Sequence, residues 1–233
     1  PGFDAYRIDT PPTCSGSGPA LVSGDFDGDG DKDFIYFTIR DQDRAGRVSH
    51  AYYYQNLGPS GGLPRFAPRV DRLSEFLSGT YEPAWHWTSN PQIVVDWDGD
   101  GLDDILLGSS YGSSSRVMLY RSNGAGFEPG YALLTDTGLT PPFADTNQRA
   151  SGGCGRTSRG INGLSAADFD GDGDFDLVIG SLSQADLMYW RNDGSNVFTR
   201  LPNIAFPEAG VTFSLGADFD GDGDADLMVG RDG

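Results

Sequence analysis

Nine residues near the beginning of the chain read Asp25-Phe26-Asp27-Gly28-Asp29-Gly30-Asp31-Lys32-Asp33, and the same pattern recurs three times. Each copy has aspartate at positions 1, 3, 5 and 9 and glycine at positions 4 and 6. The carboxylates are hard oxygen donors, and the glycines permit the tight curl that brings those donors together. The pattern therefore predicts four calcium sites, in loops that we number 1 to 4 and that span 25–33, 96–104, 168–176 and 218–226.

The charge of the chain agrees with this interpretation. Positions 1, 3, 5 and 9 of the four loops supply sixteen of the 34 acidic residues, and the other eighteen face 16 Lys and Arg. Four Ca²⁺ ions would add eight charges to the formal −18 and leave about −10. Since no basic stripe is visible and no apolar run reaches membrane-spanning length, neither a nucleic acid partner nor a membrane span is expected.

Short apolar runs follow the loops and predict buried strands, because they are too short for helices. They occupy 34–37, 105–107, 177–179 and 227–229. An EF-hand is excluded, since it needs its last acid at position 12 and a helix afterwards. A further strand and a turn are predicted in 51–58, 117–124 and 187–194, and a phenylalanine downstream, Phe66, Phe127 or Phe198, is expected to open a fourth strand.

Repetition of this unit predicts the fold class. Loop starts are 71, 72 and 50 residues apart, and four-stranded units at such a period are typical of propeller blades. We therefore expect an all-β β-propeller of four-stranded blades, with a calcium loop between strands 1 and 2 of each blade. Four blades are visible and the last is incomplete. The aromatic residues at position 2 of the loops are expected to pack between blades: Phe26, Trp97, Phe169 and Phe219.

The loops and their flanking strands resemble the FG-GAP/VCBS class of calcium-binding β-propellers, which includes the integrin α-subunit head. The resemblance runs from about Leu21 to Gly230. It implies that calcium is held by the carboxylates at positions 1, 3, 5 and 9 and by the carbonyl at position 7. The implied ligands are Asp25, Asp27, Asp29, Asp31 and Asp33; Asp96, Asp98, Asp100, Leu102 and Asp104; Asp168, Asp170, Asp172, Asp174 and Asp176; and Asp218, Asp220, Asp222, Asp224 and Asp226.

We expect one domain over 1–233, with blades at about 20–73, 92–134, 161–202 and 211–233. An N-terminal strand at 2–8 would join the last blade, which would then lack its third strand and leave unpaired edges. Either the sequence is part of a larger propeller, or a neighbouring copy of the chain donates the missing strand. Strand donation from copy to copy that does not close into a ring would build a filament or a surface assembly.

Two further groups of residues are candidates for roles outside the loops. Cys14 and Cys154 fit one disulfide in an exported protein, with two free thiols as the alternative. The long connections 72–91 and 135–160 form a candidate ligand face, suited to a sugar ring, a partner's pocket, a carboxylate or a sulfate. Capping of the central channel and ordinary solvation are the alternatives for its residues, which are Trp85, His86, Trp87, Arg149, Arg156 and Arg159.

Catalysis is not expected. The chain has two histidines, and its Gly108–Gly112 match to a nucleophile elbow has no helix after it. Aspartate cages without His or Cys favour calcium over zinc. The sequence predicts an extracellular, calcium-stabilised module for adhesion or assembly, whose partner is a protein, a glycan or another copy of itself. A carbohydrate-binding lectin that uses the long connections is the alternative, and a polysaccharide lyase is a less favoured one.

Overall fold

The computed structural model describes residues 20–42, 46–60, 63–76, 92–111, 114–135, 137, 139, 161–181, 186–205 and 211–231. Within these ranges the chain forms β-strands, turns and one short 3-10 helix, η1 (Leu73–Glu75). The same ranges contain no apolar helix of membrane-spanning length. The prediction of an all-β fold is therefore confirmed, while the single domain, its blade limits and the closure of a ring stay predictions.

The described strands form four principal antiparallel sheets and one separate hairpin. Sheet 1 contains β1 (Ala20–Gly24), β2 (Asp33–Gln42), β3 (Gly46–Tyr54) and β6 (Val70–Asp71), with the hairpin β4 (Asn56–Ser60) and β5 (Leu63–Phe66) inserted between β3 and β6. Sheet 2 contains β7 (Gln92–Val95), β8 (Asp104–Tyr111), β9 (Ser114–Tyr120) and β10 (Tyr131–Leu134). Sheet 3 contains β11 (Gly163–Ala167), β12 (Asp176–Gly180), β13 (Met188–Asn192) and β14 (Phe198–Arg200). Sheet 4 pairs β15 (Val211–Ala217) with β16 (Asp226–Arg231).

Each aspartate loop connects the first two strands of its sheet. In loop 1 the register places Gly24 opposite Asp33, and in loop 3 it places Ala167 opposite Asp176. The aspartate at position 9 of each loop is thus the first residue of the second strand in its sheet. The strands predicted after the loops are confirmed, and each loop is closed at its base by strand pairing.

The prediction for the fourth strand is wrong in two of the three complete sheets. Phe66 ends β5 in the extra hairpin, and the outermost strand of sheet 1 starts only at Val70. Phe127 makes one isolated bridge with Ser122, and the outermost strand of sheet 2 begins at Tyr131. Both phenylalanine rings pack instead against other aromatic rings, Phe66 on Phe34 and Phe127 on Phe26, each at 5.3 Å. Phe198 opens β14 as expected.

Consecutive sheets pack face to face, with their first strands next to one another. β1 contacts β7, β7 contacts β11 and β11 contacts β15, and the last three strands line one shared cleft. One apolar cluster joins sheets 1 and 2 through residues such as Ile35 and Ile105. Others join sheets 2 and 3 through Leu106 and Leu177, and sheets 3 and 4 through Val211. This packing of first strand on first strand brings neighbouring aspartate loops side by side.

The aromatic residue at position 2 packs between sheets wherever a further sheet is described. Phe26 is 2% exposed and lies against Phe127 of the next sheet, and Trp97 lies against the rings of Phe175 and Phe198. Phe169 belongs to the cluster between sheets 3 and 4. Phe219 differs, being 47% exposed on a face of sheet 4 that no described residue covers; Phe213, Leu215 and Met228 are also exposed there.

Candidate metal centres

The first aspartate of each loop organises the turn. In loop 1, the amides of Gly28 and Gly30 donate to the two carboxylate oxygens of Asp25, each at 2.9 Å. The other three loops repeat both bonds, at 2.7–3.1 Å. The eight glycines at positions 4 and 6 have φ between 74° and 98°, where a side chain would be strained. Glycine is thus needed for the backbone to wrap around the first carboxylate.

Carboxylate oxygens converge in all four loops. One oxygen from each of three aspartates lies within 4.8 Å of the others. In loops 1, 2 and 3 the three aspartates stand at positions 1, 3 and 5, and in loop 4 at positions 1, 3 and 9. The groups are Asp25, Asp27 and Asp29; Asp96, Asp98 and Asp100; Asp168, Asp170 and Asp172; and Asp218, Asp220 and Asp226.

The aspartate at position 9 connects its loop to the rest of the sheet. Asp33 is fully buried and accepts bonds from the Tyr53 hydroxyl at 2.6 Å and the Asn56 amide at 2.7 Å. Asp176 is bound in the same way by the Tyr189 hydroxyl and the Asn192 amide, each at 2.8 Å. These donors lie on or just after the third strand, so one carboxylate joins the loop, the second strand and the third strand.

Loop 2 lacks the tyrosine that the other two complete sheets supply. Among the described residues, the donors to Asp104 are main-chain amides, those of Trp97 at 3.2 Å and Ser122 at 2.8 Å, because Leu119 occupies the position of Tyr53 in the strand register. Burial raises the pKa of Asp104 to about 7, against the lowering effect of these amides. Burial also raises the pKa of Asp33 and of Asp176 above the ordinary value. A bound cation would favour the ionised carboxylates and reverse this direction.

The aspartate at position 3 of loops 1, 2 and 3 has a polar neighbour on or just after the third strand of its sheet. Gln55 Nε2 donates to Asp27 at 2.6 Å, and Arg121 Nη1 donates to Asp98 at 3.2 Å. In sheet 3, Nε of Arg191 lies 3.9 Å from Asp170. Sequence reasoning missed these residues, although each lies inside a segment predicted as a strand and turn and directly follows an aromatic residue. Loop 1 therefore faces a neutral amide where loops 2 and 3 face a cation.

Asp103 at position 8 is a second missed residue. Its carboxylate accepts the amide of Asp25 at 2.7 Å and the Lys32 ammonium at 2.6 Å, so loop 2 is bound directly to loop 1. A signal existed in the sequence, because positions 7 and 8 of loop 2 read Leu102-Asp103 where the other loops have Asp followed by Lys, Phe or Ala.

The residues present fit a calcium ion. Three oxygens within 4.8 Å of one another can surround a single ion at the Ca–O distance of about 2.4 Å. The donors are carboxylates, which suit calcium better than soft or borderline metals. Each carboxylate has about four acceptor positions, so those that already accept amides retain capacity for an ion. The carbonyl role assigned to position 7 and the complete ligand sets stay predictions.

Several predicted residues lie outside the described ranges. These are the disulfide pair Cys14 and Cys154, the strand 2–8, and the candidate ligand face of Trp85, His86, Trp87, Arg149, Arg156 and Arg159. Their roles stay predictions. Gly108, which begins the nucleophile-elbow match, lies inside β8 in extended pairing with Val117, which is not the strand-to-helix turn that such an elbow needs.

Comparisons with known proteins agree with the loop geometry. A sequence model described as an FG-GAP-like repeat matches residues 96–179 and 168–229. Integrin alpha-4 of Xenopus laevis is 28% identical over 170 residues, which cover 71% of this chain and 14% of the integrin. The chain thus spans about one seventh of the length of this relative. The family match covers more than half of the chain and confirms the resemblance drawn from the loops, so the chain belongs to the FG-GAP-like repeat family.

Proposed function

We propose that this chain is a calcium-stabilised β-propeller segment of an extracellular adhesion protein, and that it contributes a binding surface and no catalysis. The observation that carries the proposal is the convergence of three carboxylates in each of four loops. Membership of the FG-GAP-like repeat family and the similarity to an integrin α-subunit support the adhesive role.

Calcium would act structurally in this arrangement. The clustered carboxylates repel one another without a counter-ion, and in sheets 1, 2 and 3 the residue at position 9 of the loop is bound by a main-chain amide on or just after the third strand. An ion held by one loop would therefore stabilise three strands of its sheet. Because the unfolded chain cannot hold the same cage, the binding free energy adds to the free energy of unfolding.

Chelation is the test of this structural role. A site at ten times its dissociation constant contributes about 1.4 kcal/mol, so four sites contribute about 6 kcal/mol. For a chain of this size we expect EDTA to lower the melting temperature by roughly 10–20 °C. The measurement is differential scanning calorimetry in millimolar calcium, with and without EDTA.

Magnesium provides the control, since it demands a smaller octahedral shell and keeps its own waters. Magnesium at the same concentration should restore only part of the lost stability. A melting temperature that does not change on chelation would refute the calcium proposal.

The adhesive role needs a separate measurement. Surfaces coated with the protein should retain cells in calcium and release them in EDTA, if its partner is a protein on the cell surface. Binding to a glycan array instead would favour the lectin, and cleavage of an acidic polysaccharide would favour the lyase. Filaments seen by electron microscopy of the native material would favour assembly through a donated strand.

A further inference from the structure

Loops 1 and 2 share a bonded contact made by Asp103. The amide of Asp103 donates to the carbonyl of Asp25 at 2.9 Å, and the amide of Asp25 donates to Oδ2 of Asp103 at 2.7 Å. Lys32 Nζ donates to the same oxygen at 2.6 Å. The Asp103 side chain is 19% exposed and the Lys32 side chain 62%, so solvent weakens the ion pair, whereas the bond from the Asp25 amide is partly buried.

The place of Asp103 in its loop gives the contact its importance. Asp103 stands between Leu102, whose carbonyl is a predicted ligand, and Asp104, the predicted ninth ligand of loop 2. Its partner Asp25 is the first predicted ligand of loop 1. A displacement of Asp103 therefore moves predicted ligands in both loops.

Two more contacts join the same loops. The Leu102 side chain lies so close to loop 1 that a Cβ on Gly28 would be 2.9 Å from its Cδ2. Ser122 donates through Oγ to the Phe26 carbonyl at 2.5 Å, while its amide donates to Asp104 at 2.8 Å. Side chains of loop 2 and of the turn beside it thus hold the backbone of loop 1 at three places.

Loops 2 and 3 meet in a different way. Position 8 of loop 3 is Phe175, whose ring stacks on Trp97 at a centroid distance of 5.7 Å. Loop 4 has Ala225 at the same position. Neither residue has a carboxylate that could accept the first amide of a neighbouring loop.

We propose that loops 1 and 2 bind calcium cooperatively as a pair, with Asp103 as the positioning residue that couples them. The inference rests on the proposed calcium binding. An ion in loop 1 fixes the main chain of Asp25, which holds Asp103 and places the neighbouring ligands of loop 2. The second ion then meets a loop that is already ordered and has less conformational entropy to lose. Such coupling is reciprocal, so each ion raises the affinity for the other by the same factor.

Glycine amides offer a readout for each loop in the unmodified chain. The position-6 amides of Gly30, Gly101, Gly173 and Gly223 each donate to the first carboxylate of their own loop. Their ¹⁵N–¹H resonances should therefore shift when that carboxylate binds an ion. A calcium titration followed by NMR then gives one binding curve per loop.

The test compares two variants that each disable one loop. Asp98→Asn should weaken calcium binding at loop 1, read from Gly30, by about fivefold or more. Asp27→Asn should weaken binding at loop 2, read from Gly101, by the same factor. A Gly30 curve that is unchanged in Asp98→Asn would overturn the coupling. If no glycine resonance responds to calcium in the unmodified chain, the proposed calcium binding itself fails.

A matched control separates coupling from the simple loss of a negative charge. Asp170→Asn disables loop 3, the other neighbour of loop 2, and should change the Gly101 curve less than Asp98→Asn changes the Gly30 curve. If Asp170→Asn changes the Gly101 curve as much as Asp98→Asn changes the Gly30 curve, the effect comes from the loss of charge alone. That result would overturn the role of Asp103.

Replacement of the coupling residue completes the test. In an Asp103→Ala background, disabling loop 2 should affect loop 1 no more than the loop 3 control does. Asp71→Asn, a charge removal on β6 outside the loops, should leave the coupling factor unchanged. If Asp103→Ala does not fold, the comparison of Asp98→Asn and Asp27→Asn with the Asp170→Asn control, all with Asp103 in place, still decides the question.

Discussion

The junction between sheets 1 and 2 and the junction between sheets 3 and 4 are built differently from the same repeat. At the first, a carboxylate, a lysine and three main-chain groups join neighbouring loops around Asp25 and Asp103. At the second, most of the close approaches are apolar: Phe169 lies against Gly216 and Val211 against Gly180, while Gly163 faces both Val211 and the Ser214 hydroxyl. At the first junction, polar bonds join the loops. At the second, aromatic rings and methyl groups pack mainly on small residues.

This difference shows that the repeat determines the conformation of each aspartate loop, whereas the contacts between neighbouring loops differ from one junction to the next. Polar bonds between loops depend on direction, so the position of one loop constrains the next. Apolar packing stabilises through buried area and is less sensitive to small rotations. Among the described residues, polar bonds run directly from loop to loop at the first of these two junctions and not at the second.

Substitution of the small residue at each junction should produce the largest effects. A Cβ at Gly24 would lie 2.8 Å from Phe26 and from Val94 and 2.9 Å from Asp103, so Gly24→Ala should cost about 3 kcal/mol of unfolding free energy. A Cβ at Gly216 would meet Phe169 at 2.8 Å and Ala167 at 2.9 Å, and Gly216→Ala should cost about 2 kcal/mol. Urea denaturation in calcium measures both.

The same two variants should separate the junctions by calcium affinity. Gly24→Ala presses on Asp103 and should weaken calcium binding at loop 1, whereas Gly216→Ala should leave that affinity unchanged. Equal weakening by both variants would show that the junctions do not differ in kind.

The tyrosines that bind the ninth carboxylate should give a smaller pair of effects. Tyr53→Phe removes a donor from the fully buried Asp33 and should cost about 1.5 kcal/mol. Tyr189→Phe should cost about 1 kcal/mol, because Asp176 keeps two main-chain donors, from Phe169 and Asn192. Thermal melts of both variants measure the difference, and a costlier Tyr189→Phe would contradict this account of the hydrogen bonds.

Exchange of the polar side chains that contact the position-3 aspartates should give the smallest effects on calcium affinity, with opposite signs in loops 1 and 2. Arg121→Gln removes a cation from Asp98 and should strengthen calcium binding at loop 2, while Gln55→Arg should weaken it at loop 1. Since Arg121 and Asp98 are 39% and 33% exposed, each change should be about 0.5 kcal/mol, or roughly twofold in affinity. Titration calorimetry checks both, and changes of the same sign would show that the neighbour does not set the affinity.

The strands and cages were predictable because their signals are local. An apolar run after a fixed aspartate pattern needs only its own sequence to become a strand, and Asp33 begins β2 as that pattern requires. The rings of Phe66 and Phe127 are different, since the position of Phe66 depends on Phe34 and that of Phe127 on Phe26 of the preceding sheet. A pattern of turn residues cannot reveal which surface a ring will meet.

The contacts between loops depend on residues about 70 positions apart, so no short pattern encodes them. Leu102 departs from the aspartate found at position 7 elsewhere, and the structure explains it by the packing of its side chain on Gly28. Asp103 reaches Asp25 across 78 residues of sequence. Such departures from a repeat mark where neighbouring units meet, although the partner is visible only in three dimensions.

The pairing of Gly24 with Asp33 across a short loop also bears on how the chain folds. Each cage closes between two strands that are adjacent in sequence, so its closure costs little chain entropy. Contacts of this kind form early in folding, before distant segments need to meet. We therefore expect each loop, together with its two strands, to act as a local nucleus as the chain leaves the ribosome, with the packing of one sheet on the next as the slower step.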